Sequence, residues 1–197
     1  MKPIPGSPRD MPVLEFKQPS DWADWLEENH ATSPGGWLRL AKKGSGIPSV
    51  SYDEALETAL CFGWIDGQKK SYDDKTWLQK FTPRGPRSIW SKVNREKAGK
   101  LIASGRIRPA GLQAVERAKQ GGQWDAAYDA QSRAIVPPDL QAELDKNQDA
   151  KDFFATLNSQ NRYAILFRIQ TVKKAETRAK RIHEFIGMLK RKEKLHP

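Results

Sequence analysis

The stretch from Ser51 to Phe81 constrains the chain most. Ser51-Tyr52-Asp53-Glu54 is a capping box, in which the serine and the glutamate satisfy each other's orphan backbone donors at a helix start. Ala55, Leu56, Ala59, Leu60 and Phe62 follow at helical spacing, and Gly63 offers a stop. Residues 64–68 and 76–81 then read as two strands, joined by a turn at Tyr72-Asp73-Asp74-Lys75. In the second strand Trp77, Gln79 and Phe81 share one face. A helix running straight into a hairpin predicts an α+β fold with a small mixed or antiparallel sheet and packed helices.

The flanks extend this picture. Pro3, Pro5, Pro8 and Pro12 mark residues 1–12 as a flexible arm. Residues 13–16 alternate weakly, as a first strand does. Ser20 is a candidate cap for a helix to Asn29, with Trp22, Trp25 and Leu26 on one face. Residues 37–41 read as a strand. A helix from Ser91 to Ile102 and one from Pro109 to Gly121 follow, and residues 139–146, 149–157, 159–171 and 175–192 all read helical. The expected division is a flexible arm at 1–12, an α+β domain at 13–108 and a helical region at 109–197.

Charge is blocked along the chain. The net charge is +10, with residues 68–108 at net +9 and 162–197 at net +8, against net −4 for 1–67 and net −3 for 109–161. Brought together, the basic blocks make a strong positive field; kept apart, they solvate helix faces. The lone Cys61 rules out a disulfide framework and speaks against a cysteine metal site. His30, His183 and His196 lack metal-ligand spacing, so the sequence calls for no metal and no cofactor. No run approaches the roughly 18 apolar residues that span a bilayer. The N-terminus has no apolar core of a secretory signal, and the expected location is the cytoplasm.

Several motifs carry a resemblance. Ser49-Val50-Ser51-Tyr52-Asp53-Glu54-Ala55-Leu56 leads to Ala59-Leu60-Cys61-Phe62-Gly63-Trp64-Ile65-Asp66-Gly67, then Phe81-Thr82-Pro83-Arg84, Pro86-Arg87-Ser88, Trp90-Ser91 and Asn94. Pro109-Ala110-Gly111-Leu112, Arg162-Tyr163-Ala164 and Glu176-Thr177-Arg178-Ala179 follow. Together these resemble the YdeI/OmdA family, the OmpD-associated or bacteriocin-protection proteins, across nearly the whole chain after the arm. The resemblance implies an α+β domain followed by a helical OmdA region, and a role in tolerance to bacteriocins or other envelope stress. It brings no catalytic residue with it.

The residues themselves point to an anion site. Arg84 and Arg87 lie in a Pro-stiffened loop beside a helix start, where unpaired N–H groups and the positive dipole end welcome negative charge. Ser88, Trp90, Ser91 and Asn94 surround them in sequence, and Trp64 and Asp66 come from the preceding strand. The competing reading is that Ser91 only caps the helix and the arginines pair with Asp66, Asp73 or Asp74. Asp66 beside Trp64 is the weak candidate for a catalytic acid or base. Cys61, inside an apolar helix, reads as core. In the last helix Ala175, Ala179, Ile182, Phe185, Ile186 and Leu189 form a stripe, and Arg178 near it needs a partner.

Three functions compete. The first is binding of an anionic small molecule or peptide. The second is nucleic-acid binding by the basic blocks with Trp77, Phe81 and Trp90 interleaved. The third is an enzyme acting on a phosphorylated or carboxylated small molecule, with Asp66 beside Arg84 and Arg87.

Overall fold

The structure is a computed structural model that describes residues 11–197. The arm at 1–12 therefore lies outside the described residues except for Met11 and Pro12. The chain is α+β, with a mixed four-stranded sheet and eight α-helices among the described residues. It forms two compact units. One runs to Trp90 and resumes at Asn94–Asp125; the other takes Ser91–Val93 and Ala126–Pro197.

The first unit holds the sheet. Its strands are β1 (Val13–Leu14), β2 (Gly36–Ala41), β3 (Trp64–Ser71) and β4 (Thr76–Pro83), in the order β1-β2-β4-β3. β1 runs parallel to β2, and the remaining pairs are antiparallel. Both hairpin strands are longer than apolar alternation predicts. Lys69, Lys70 and Ser71 are held by pairing with Gln79, Leu78 and Trp77, not by burial. A bulge between Asp66 and Lys69 resets the register, and the Gln79 amide bonds the Gly67 carbonyl there at 2.9 Å.

Four helices accompany the sheet: α1 (Pro19–Asn29), α2 (Tyr52–Cys61), α3 (Lys92–Ala103) and α4 (Pro109–Gln120). The capping box forms at α2, with the Ser51 hydroxyl and the Glu54 carboxylate each accepting the other's backbone N–H. Ser20 does not cap α1. Gln18 occupies that position, because Pro19 is already shaped for the first helical turn. One face of the sheet receives an aromatic cluster: Trp22 meets Phe81 at 5.8 Å and Trp64 edge-on at 6.1 Å between ring centroids. The buried indole donors are satisfied, Trp22 by the Ala55 carbonyl and Trp64 by the His30 carbonyl, both at 3.1 Å.

Two glycines seat α4 against the end of α2. A Cβ on Gly111 would stand 2.2 Å from the Cys61 carbonyl oxygen. Gly63 sits at φ +72°, and its Cβ would come within 2.7 Å of the Ala110 oxygen. These close approaches make α4 part of the first unit, where the sequence had grouped it with the helices that follow.

The second unit is helical: α5 (Pro138–Asp145), α6 (Gln148–Thr156), α7 (Ser159–Gln170) and α8 (Ala175–Lys190) follow a single 3₁₀ turn at Gln131–Arg133. Leu140, Phe154, Ile165, Ile169, Ile186 and Leu189 are among the side chains that build its core. The α8 stripe is buried from Ile182 onward, whereas Ala175 and Ala179 are exposed. Arg178 finds its partner: its guanidinium donates to both Asp139 carboxylate oxygens, at 2.6 and 2.9 Å, and to the Ile169 carbonyl at 2.8 Å. It thereby ties α8 to the start of α5 and the end of α7. Ser91 and Tyr128 form a short parallel bridge, and Lys92 meets Asp129 at 2.7 Å.

Candidate functional site

The predicted residues divide into separate environments. Arg84 leaves β4 with its backbone N–H donating to the Gly63 carbonyl at 3.0 Å. Its side chain is buried, with the guanidinium 3.6 Å from the Trp90 ring centroid and donating to the Ile89 carbonyl at 3.2 Å. A desolvated cation over an indole is worth about 2 kcal/mol. Trp90 is itself buried and meets Trp124 at 5.0 Å. The loop between them is a tight turn. The Ser88 N–H donates to the Gly85 carbonyl at 3.0 Å, and the Ser88 hydroxyl accepts from the Gly85 N–H at 3.1 Å. Pro86 pre-sets the second position of that turn.

Next to this turn is a small hollow, open to solvent at its mouth. Arg84, Gly85, Pro86, Ser88 and Trp90 form one wall, and Ala114, Arg117 and Ala118 of α4 form the other. Ala114 and Ala118 are small and buried, one helical turn apart, so the Arg117 side chain at their edge comes to the same opening. Two guanidinium-bearing side chains and a serine thus line one concavity. Such a set matches a carboxylate or phosphate, whose oxygens accept paired N–H donors.

Arg117 is the residue that the sequence did not single out. Its only trace was a charge flanking the small residues at 114 and 118, and the glycine contacts that carry α4 to the loop are invisible in local pattern. Arg87, paired with Arg84 in the sequence reading, is exposed and does not line the hollow. Among the described residues it makes no ion pair, so the proposed salt bridges to Asp66, Asp73 or Asp74 do not form there.

The other predicted residues sit elsewhere. Asp66 accepts from the Tyr52 hydroxyl at 2.8 Å and from the Asn94 amide at 3.3 Å, which ties β3 to α2 and α3. It is absent from the walls of the hollow. Trp64 is a core residue, 1% exposed. Ser91 belongs with the second unit, through its bridge to Tyr128. Phe81 and Trp90 are buried as well, which removes them from any stacking surface. Burial pushes the Cys61 thiol upward, in keeping with a core side chain and against a thiolate nucleophile. No helix among the described residues is long and apolar enough to cross a membrane.

Comparison with known proteins matches the chain to two family models. Residues 14–114, just over half of the chain, match the family model described as a domain of unknown function, DUF8412. Residues 133–192 match the model described as "Bacteriocin-protection, YdeI or OmpD-Associated". The OmdA match therefore covers the helical region, and the motifs between Ser49 and Asn94 fall within the other model. No curated protein and no solved structure matches the chain. The chain belongs to the DUF8412 family and carries an OmdA region at residues 133–192.

Proposed function

We propose that this chain is an intracellular anion-binding protein serving bacteriocin protection, and that the hollow between Arg84, Ser88 and Arg117 is its binding site. The observation that carries the reading is that two guanidinium-bearing side chains line one concavity. Arg84 supplies a buried charge held in place by Trp90, and buried charge is screened less than charge in water. Arg117 supplies an exposed one. The hollow is small, so it suits one anionic group, a carboxylate or a phosphomonoester, at the end of a larger ligand. The protective role rests on the match of residues 133–192 to the bacteriocin-protection family, and the intracellular setting on a single, buried cysteine.

The test is a thermal-shift and calorimetric titration with inorganic phosphate, phosphoserine and acetate. Phosphate or phosphoserine raises the melting temperature of the wild type, and Arg117→Ala abolishes the rise. A rise that survives in Arg117→Ala, or no rise with any of the three, defeats the reading.

A further inference from the structure

The sheet has a second face, opposite the aromatic cluster, and its rows follow from the strand register. Val13, Trp37 and Lys80 stand side by side across β1, β2 and β4. Arg39, Leu78 and Lys70 form the next row across β2, β4 and β3. The Lys70 ammonium lies 4.2 Å from the centroid of the Trp37 ring. To reach it from β3, the lysine must cross β4, so its stem passes over Leu78. Leu78 itself is only 2% exposed. Arg39 likewise lies 4.9 Å from the centroid of Tyr72, a residue 52% exposed.

The charge on this face is unbalanced. Arg39 is neutralised by Glu15 at 2.8 Å and Asp73 at 3.0 Å. Among the described residues Lys70 and Lys80 make no ion pair, and Lys70 is exposed. Two ammonium groups without carboxylates, those of Lys70 and Lys80, thus share this face with Trp37.

We propose that this face binds single-stranded nucleic acid, with Trp37 as the stacking surface and Lys70 and Lys80 on phosphates. Single-strand binding combines a cationic track with aromatic rings on which bases stack. The ring face that now holds the Lys70 ammonium is the surface a base uses. When a base arrives, the ammonium moves from the ring to the adjoining phosphate and keeps its charge satisfied throughout. An acidic peptide would engage the lysines and leave the ring without a role, so the tryptophan decides between the two partners. The surface is separate from the hollow at Arg117.

Fluorescence anisotropy on the full chain with labelled oligo-dT and oligo-U tests this. Binding is expected at low salt. Trp37→Leu weakens it by about tenfold or more. The double substitution Lys70→Gln, Lys80→Gln flattens the plot of log affinity against log salt by roughly 1.4, for two lost phosphate contacts. Both lysines sit at the surface of the sheet, so the double variant keeps the fold and serves if Trp37→Leu does not. Arg117→Ala binds the oligonucleotides like the wild type, which separates failure here from failure at the hollow. Three results overturn the proposal: no binding at low salt, an unchanged salt slope in the double variant, or polyglutamate displacing the oligonucleotides equally well from wild type and Trp37→Leu.

Discussion

The guanidinium of Arg84 rests 3.6 Å from the centroid of the Trp90 ring and is buried with it. This pair fixes the loop after β4, and the loop forms one wall of the hollow. Lysine in place of Arg84 keeps the charge but loses the planar fork and its stacking. Arg84→Lys is expected to cost about 1–2 kcal/mol of stability by urea unfolding. Arg117→Ala, at an exposed position, should stay within about 0.5 kcal/mol of wild type. If both variants melt like wild type, the stack does not hold the loop.

The seat of α4 yields a sharper test. The Cβ of Gly111→Ala would be driven into the Cys61 carbonyl oxygen at 2.2 Å, and backbone on both sides leaves little room to yield. The expected loss is about 3 kcal/mol, measured by denaturant unfolding. Arg117 moves with α4, so any phosphate response should weaken in the same variant.

The second unit carries an acid-sensitive link. The Arg178 guanidinium, chiefly through its hydrogen bond, holds the Asp139 carboxyl below its ordinary range. Lys92 does the same for Asp129. A depressed carboxyl stabilises the fold above its unfolded value of 3.8, and that contribution is lost as the pH falls through the folded value. Asp139 is 45% exposed at its side chain, so solvent screening limits the pair to about 1 kcal/mol. Unfolding followed from neutral pH downward should show the wild type losing stability below about pH 4. Asp139→Asn should start lower and fall less.

Tyr163 gives the opposite dependence. Its hydroxyl donates to the Asp129 carbonyl at 3.0 Å, and burial pushes the phenol up to about 12. An unfolded tyrosine titrates near about 10. The folded state therefore favours the neutral phenol, and the contribution is complete below pH about 10 and lost as pH rises toward 12. Alkaline unfolding followed by ultraviolet absorbance should show this loss in the wild type and its absence in Tyr163→Phe. An equal loss in the variant would point to another group.

Much of the fold was legible because its signals are local. The capping box at Ser51 and Glu54, the stop at Gly63 and the turn at 72–75 depend on neighbours within a few residues. The need of Arg178 for a partner was legible too, since a charge at the edge of an apolar stripe must be met. What escaped depends on distant chain. The full length of β3 comes from cross-strand pairing of polar residues, which leaves no apolar alternation to read. The exposure of Ala175 and Ala179 leaves no trace in the apolar stripe that they continue. In the candidate site, proximity in sequence suggested Arg87 as the companion of Arg84. The glycine contacts at 63 and 111 brought Arg117 there instead.

The three residues Ser91–Val93 belong to a unit whose other members begin at Ala126. During synthesis they leave the ribosome well ahead of Tyr128 and Asp129, which will hold them. A fragment begun at Ala126 would omit them altogether, leaving the Asp129 carboxylate without Lys92 and the backbone of Tyr128 without its strand partner. Excision boundaries drawn at the edges of the two family matches would thus sever a piece that the C-terminal unit borrows from upstream.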